Sequence, residues 1–133
     1  EAGEDPLYIA RRMIRFASED IGLANNSALM LTISVYEACQ KTGLPECAVN
    51  LAHGAIYLAK SPKSIAAYQA YNNVCQEVET SGNLPVPLHL RNAPTKLMKD
   101  LGYAKDYKYT PLEDDSGQSY LPDKIKNKKF FFK

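Results

Sequence analysis

The stretch PVPLHLRNAPTKLMKDLGY, residues 85–103, carries the most specific pattern in this chain. Its two leading prolines fix φ and disfavour helix. Leu88 and Leu90 then alternate with polar residues, which predicts an extended segment with one buried side. Pro94 suits the first turn of a short helix, and Gly102 is placed to end it. The stretch therefore predicts an extended linker, a turn and a short helix.

Upstream of this stretch, apolar residues recur at helical spacing between turn signals. An Asp5-Pro6 pair and a Ser61-Pro62 pair are typical of helix starts, and glycines at 22 and 43 are placed to end helices. The pattern predicts four longer helices, at about 6–21, 27–42, 45–60 and 62–80. The third has few polar residues and predicts a central helix buried on most sides, with Gly54 allowing close approach of a neighbour. The fourth is expected to bury Ile65, Tyr68, Tyr71, Cys75 and Val78. The predicted fold class is all-α, a bundle of about five helices.

The helical pattern ends at Tyr103. Tyrosines then alternate with lysines, an acidic run follows, and Asp123 to Asn127 predicts one helical turn. The chain closes on Phe130, Phe131 and Phe132, which are expected to form a short strand or an extended arm. Rings of this kind are seldom left in water. We therefore expect an irregular, basic and aromatic C-terminal arm that packs on the helices or on another subunit.

The totals exclude several classes of protein. Hydrophobic residues make up 45% of the 133 and charged residues 23%, as in ordinary globular domains. No apolar run approaches the roughly 18 residues that span a bilayer, so no membrane partner is expected. The three cysteines lack a CxxC pair and predict reduced core thiols in an intracellular protein. Residues 1–90 carry a net charge of −3 and residues 91–133 one of +4.

No catalytic constellation is evident. A P-loop requires GxxxxGK[ST], and none of the seven glycines fits that pattern. The two histidines, His53 and His89, have no nucleophile at a recognised spacing. We expect His53 to be hydrogen-bonded at a helix interface and His89 to anchor the extended segment. Neither a catalytic residue nor a metal site is predicted, and no nucleotide turnover is expected of this chain.

Nucleic-acid binding is the chemistry that the sequence leaves open. Cations neutralise phosphates and aromatic faces stack on bases. Between Arg91 and Lys108, tyrosines lie among the cationic residues. The alternative is that the charges are merely solvated and the rings belong to the core. The predicted phosphate contacts are Arg91, Lys96, Lys99, Lys105 and Lys108, beside free amides at the start of the short helix.

Three runs resemble one known family. They are GEDPLYIARRMIRFASEDIGLA at 3–24, KSPKSIAAYQAYN at 60–72 and PLHLRNAPTKLMKDLGY at 87–103. In this order they resemble the C-terminal domain of replication-associated recombination protein A, also called maintenance of genome stability protein A. Its eukaryotic relative is the Werner helicase-interacting protein. These are AAA+ ATPases related to clamp loaders.

The resemblance implies a helical collar like that of clamp loaders. Residues 1–24 would lead from the ATPase lid into the first collar helix, residues 25–102 would form the helical core, and residues 103–133 the arm. It also implies a homotetramer, and a parent chain that is a DNA-dependent ATPase with ATP and Mg²⁺ bound outside this chain. The expected interface residues are Tyr103, Tyr107, Tyr120, Phe130, Phe131 and Phe132.

The family implies further partners. They are DNA at replication forks or single-strand/duplex junctions, and single-stranded DNA-binding protein. The expected location is the bacterial cytoplasm at the nucleoid, or the nucleus if the chain is eukaryotic. The leading hypothesis is an oligomerisation domain that acts in fork maintenance, recombination and repair. The alternative is a DNA-contacting module whose basic patch runs from Arg91 to Lys108.

Overall fold

The computed structural model describes residues 3–132, and within them the regular secondary structure is entirely helical. The prediction of an all-α fold is confirmed. A π-helical turn (Ala17–Ile21) and a 3₁₀ turn (Gly22–Ala24) continue the first helix, and further 3₁₀ turns lie at Leu88–Leu90 and Asp123–Ile125. The α-helices are α1 (Pro6–Phe16), α2 (Ser27–Thr42), α3 (Cys47–Lys60), α4 (Ala66–Ser81) and α5 (Lys96–Asp100).

Helices α1, α2 and α3 pack on one another and enclose a core of small side chains. Ala10 on α1, and Ala17 and Ile21 on the π turn that continues it, are almost fully buried. Asp5 caps this helix by accepting a hydrogen bond from the Leu7 N–H, as expected from the sequence. The remaining buried side chains of the core are Ala28, Thr32, Val35, Cys39, Cys47 and Leu58.

Gly54 brings α3 close to both α1 and α2. A Cβ atom at this position would lie 3.1 Å from Met13 Sδ on α1 and 3.2 Å from a Val35 methyl on α2. The predicted role of this glycine is confirmed. The cysteines are free thiols, with Cys39 and Cys47 buried and Cys75 half-buried. Burial and the neighbouring Cys47 thiol raise the pKa of Cys39.

The chain divides into two compact units. The first unit contains residues 3–75 and 130–132, and the second unit contains Gln76–Lys129. Helix α4 runs from the first unit into the second. Because the phenylalanine tail and residues 103–129 belong to different units, the single aromatic arm stays a prediction. The domain boundaries at 24 and 102 also stay predictions.

The fourth helix begins at Ala66, so its predicted start at Pro62 is wrong. The preceding segment is instead held against the end of α1. The Ser64 N–H donates to the Asp20 carbonyl oxygen (2.9 Å), and the Lys63 ammonium lies 5.0 Å from the centre of the Phe16 ring. The Ser64 side chain also accepts from the Ala66 N–H (3.5 Å), as a residue just before a helix start commonly does.

The predicted burial of the third and fourth helices is also wrong. On α3, Val49 is 75% exposed and Ile56 is 60% exposed, and His53 is exposed as well. On α4, Tyr71 is 67% exposed, while Ile65, Tyr68 and Val78 are also exposed and Cys75 is half-buried. Periodicity identifies an apolar face correctly, but it does not show whether the same chain covers that face.

Residues 88–90 form a 3₁₀ turn, so the predicted extended alternation is wrong at this point. The Leu90 N–H donates to the Pro87 carbonyl oxygen (3.1 Å), which closes the turn. The short helix after it is confirmed as α5, capped by the Thr95 side chain and followed by Gly102 at φ +84°. Pro94 precedes the cap residue, so its predicted place in the first helical turn is wrong. No helix among residues 3–132 is long and apolar enough to cross a membrane.

Candidate functional site

Arg91 and Tyr103 form the best-defined contact in the second unit. The guanidinium carbon lies 5.4 Å from the centre of the tyrosine ring, and Nη1 donates to Tyr103 Oη (3.3 Å). The Nε–H donates to the Val86 carbonyl oxygen (2.7 Å). Tyr103 is held in turn by its own N–H, which donates to the Met98 carbonyl oxygen (3.0 Å). Arg91 thus ties the proline-rich segment to the residues that follow α5.

A cavity of about 360 Å³ also lies in the second unit, lined by His89, Lys105, Asp106, Lys108, Gly117, Gln118 and Ser119. His89 Nε2 donates to the Ser119 carbonyl oxygen (2.8 Å), so His89 anchors its segment as expected. Gln118 makes two bonds to the Lys108 backbone, one with the N–H (2.7 Å) and one with the carbonyl oxygen (3.1 Å). Side chains from separated parts of the chain therefore form the wall of this cavity.

The predicted phosphate contacts fall into two groups. Arg91 is engaged within the fold, and the Lys108 ammonium donates to the Asp114 carbonyl oxygen (2.9 Å). Lys96, Lys99 and Lys105 are exposed. At the start of α5 the Met98 N–H donates to Thr95 Oγ1 (3.3 Å), so this amide is already occupied by the chain itself. Lys108 is exposed as well and keeps two of its N–H groups free, so the four lysines are better placed than Arg91 to contact an anion.

Asp115 accepts two hydrogen bonds beside the cavity. Tyr120 Oη donates at 2.5 Å and Thr110 Oγ1 at 2.9 Å, both to the same carboxylate oxygen. These bonds, with that of Tyr120 the larger effect, lower the pKa of Asp115 from its ordinary value of 3.8. The acidic run is therefore part of the local fold of the second unit.

The aromatic residues predicted for a subunit interface lie in both units. Tyr103 is half-buried under Arg91, whereas Tyr107 and Tyr120 are about half exposed. In the first unit the carbonyl oxygen of Phe130 accepts a hydrogen bond from Asn73 Nδ2 on α4 (3.3 Å). Phe130 is half-buried there, while Phe131 and Phe132 are exposed. Among residues 130–132 the structure shows no strand.

One exposed surface was missed by sequence reasoning. Val49, Ala52, Ile56 and Ala59 are all exposed and follow one another on α3 at steps of three and four residues. Residues at this spacing lie along one face of a helix. We call this face the α3 stripe. Its apolar spacing was visible in the sequence, but it was assigned to the core of this chain.

Charged residues of α1 border a second apolar surface of the first unit, a groove whose walls come from α1 and α3. Arg15 and Glu19 form an ion pair across one turn, and this pairing lowers the pKa of Glu19 and raises that of Arg15. Arg11 and Arg15 are exposed on α1, and Glu19 on the following turn is half-buried. Arg11 pairs with Asp5 at 3.7 Å.

The comparisons with known proteins agree over the whole chain. Residues 1–133 match the family model described as MgsA AAA+ ATPase C terminal. The chain is 52% identical to ATPase WRNIP1 of Dictyostelium discoideum over 98% of its length. It is 44% and 39% identical to the replication-associated recombination proteins A of Coxiella burnetii (over 99% of the chain) and Escherichia coli K12 (over 98%). The chain spans only 15%, 31% and 30% of these three relatives, respectively.

Proposed function

This chain belongs to the family of C-terminal domains of MgsA AAA+ ATPases, and from that premise we propose that it is the subunit-assembly domain of a clamp-loader-like ATPase that forms homotetramers. Its relatives are named for ATPase activity and for replication-associated recombination. The matched segment is less than a third of each relative's length. ATP and Mg²⁺ are accordingly assigned to parts of the parent protein outside this chain.

The α3 stripe is the observation that supports assembly best. Full burial of a valine or isoleucine side chain contributes about 1.5–3 kcal/mol relative to exposure. Val49 and Ile56 retain most of that surface in water. A closed symmetric oligomer presents the same stripe on every subunit and can bury all copies together. The exposed Phe131 and Phe132 are the second candidate contact. Both belong to the interface residues that the sequence analysis predicts.

The test is the molar mass of the chain in solution, measured by light scattering at low and high salt. We expect a tetramer at both, because an apolar contact is little affected by ionic screening. The double variant Val49→Lys with Ile56→Lys should dissociate it. The control, Ser34→Lys with Gln40→Lys, adds the same charge at exposed positions of α2 and should leave the mass unchanged.

Two outcomes would count against this proposal. A wild-type chain that is monomeric at both salt concentrations would show that the domain alone does not drive assembly. A tetramer that survives the α3 double variant but dissociates on Phe131→Ser with Phe132→Ser would move the interface from the α3 stripe to the tail.

We further propose that the second unit contacts DNA in the parent protein, at forks or single-strand/duplex junctions, beside single-stranded DNA-binding protein. The supporting observation is that Lys96, Lys99 and Lys105 are exposed in one unit with Tyr107. Phosphate contacts weaken steeply with salt. Fluorescence anisotropy with a forked oligonucleotide should therefore show salt-dependent binding. Lys96→Ala with Lys99→Ala should weaken it, and binding that does not depend on salt would contradict this assignment.

A further inference from the structure

We propose that the cavity between His89 and Lys105 in the second unit binds one phosphate group of a single-stranded nucleic acid. This inference rests on the proposed DNA contact and makes it specific. It names a pocket, a bound group and a strand type. Four properties of the cavity support this inference: its charge, the hydrogen bonds that hold its wall, the backbone conformation beside Lys105, and its size.

The charge of the cavity favours an anion. Lys105 and Lys108 line it together with His89, and Asp106 is the carboxylate among the lining residues. Lys108 donates to the Asp114 carbonyl oxygen (2.9 Å), but an ammonium has three N–H groups, so two stay available to a ligand. Among the lining residues a phosphate would meet two ammonium groups and one carboxylate, that of Asp106, while the Asp115 carboxylate, outside the lining, also interacts with Lys108.

The cavity wall is rigid before any ligand arrives. The two bonds between Gln118 and the Lys108 backbone fix that wall, and Gln118 Nε2 also donates to Tyr120 Oη (3.0 Å). Tyr120 is held by Asp115, and His89 by the Ser119 carbonyl oxygen. A site whose side chains are already ordered loses less entropy on binding, which favours recognition of a small group.

The backbone beside Lys105 has an uncommon conformation. Ala104 and Asp106, on either side of it, have φ values of +56° and +58°. Residues other than glycine rarely adopt this region. The Ala104 N–H donates to the Leu88 carbonyl oxygen (3.0 Å), which holds the turn. The consequence is that Lys105 is presented at the cavity by a fixed backbone.

The size of the cavity and one neighbouring ring indicate the source of the phosphate. About 360 Å³ is near the lower end of the range for ligand sites and suits a phosphate with its sugar. Tyr107 lies in the sequence between the lining residues Asp106 and Lys108 and is 44% exposed. Exposed aromatic rings beside cationic grooves stack on unpaired bases. A single strand supplies both a phosphate and a free base face.

Anisotropy with a fluorescein-labelled oligo-dT tests this proposal on the whole chain at several salt concentrations. Lys105→Ala with Lys108→Ala should weaken binding at least tenfold. The slope of log affinity against log salt should fall by about 0.7 for one lost phosphate contact. Tyr107→Leu should weaken binding to the single strand but leave duplex binding unchanged. Lys124→Ala with Lys126→Ala, which removes two cations outside the cavity lining, is the control and should leave the affinity for the single strand unchanged.

Failure of this inference differs from failure of the proposed DNA contact. If the wild type binds the strand and only Lys96→Ala with Lys99→Ala weakens it, DNA contact stands and the cavity assignment is overturned. If no oligonucleotide binds, the DNA contact itself is rejected. NMR titration with inorganic phosphate then decides the cavity: shifts at Gln118 and His89 would show an anion site for a free phosphate, and their absence would reject the site altogether.

Discussion

Gly22 lies directly against Ser64, so that a Cβ atom at position 22 would stand 2.5 Å from the Ser64 carbonyl oxygen. The same glycine has φ +48°, a region that side chains disfavour. The end of α1 and the segment before α4 therefore meet through a residue that no other amino acid can replace without a shift. Ser64 adds its own bond to Asp20, so the contact is made from both sides.

We expect Gly22→Ala to destabilise the first unit by about 3 kcal/mol, since a backbone clash adds to the cost of a positive φ. Gly43→Ala is the matched control. Gly43 has φ +70° and ψ −175° but open space around its Cβ position, so only the conformational cost of about 2 kcal/mol should appear. Urea unfolding followed by circular dichroism measures both. Equal losses in the two variants would show that the contact with Ser64 is unimportant.

The loss of stability caused by a substitution at Gly54 should increase steeply with the size of the new side chain. Replacement by alanine increases stability by up to about 1 kcal/mol through helix propensity. The 3.1 Å approach of its Cβ to Met13 Sδ decreases stability by a similar amount, because the methionine side chain must move. We expect Gly54→Ala to change stability by less than about 1 kcal/mol. Gly54→Leu should cost about 3 kcal/mol through overpacking. Gln40→Leu, at an exposed position of α2, is the comparison and should be nearly neutral by thermal unfolding.

Arg91→Lys separates a structural role from a nucleic-acid role. Lysine keeps the charge but cannot donate to Val86 and Tyr103 together while covering the ring. We expect the second unit to lose about 1–2 kcal/mol of stability. Affinity for an oligonucleotide, measured under conditions where the variant stays folded, should stay within twofold. A large loss of affinity without loss of stability would instead place Arg91 on the bound strand.

Asp115 should stabilise the second unit only while it is ionised. Its pKa in the folded chain lies below 3.8, so its contribution is present above that ordinary value and is lost as the pH falls through the lower folded value. Tyr120→Phe removes the hydrogen bond with the largest effect. We expect the pKa of Asp115 to rise toward 3.8 in this variant, as followed by carboxyl ¹³C NMR. Thr110→Val should produce a smaller rise, and an unchanged pKa in both would contradict the assignment.

The sequence predicted those features whose causes are local. The Asp5 cap acts two residues away, and the glycine that ends α2 acts on the turn beside it. Gly54 was also interpreted correctly, because a glycine inside an apolar helix has few explanations other than close packing. Features of this kind depend on residues that are neighbours in the chain, and a single sequence contains them.

Features that depend on distant partners were missed. Nothing near Ser64 indicates that its N–H will bond to Asp20, so the start of α4 was placed too early. The contact between the Arg91 guanidinium and the Tyr103 ring was not predicted, and the assignment of Arg91 to a phosphate stays a prediction. The apolar face of α3 was recognised, yet its partner was taken to be this chain.

The hydrogen bond between Phe130 and α4 has a consequence for changes of chain length in the second unit. The Asn73–Phe130 hydrogen bond joins residues 57 positions apart, so Gln76–Lys129 is an insertion whose two ends are both attached to the first unit. The entropy of closing such a loop grows only logarithmically, and doubling its length costs about 0.6 kcal/mol. Changes of length in the loops after α4 therefore add little closure entropy for the three-helix core, whose helices all lie in the first unit.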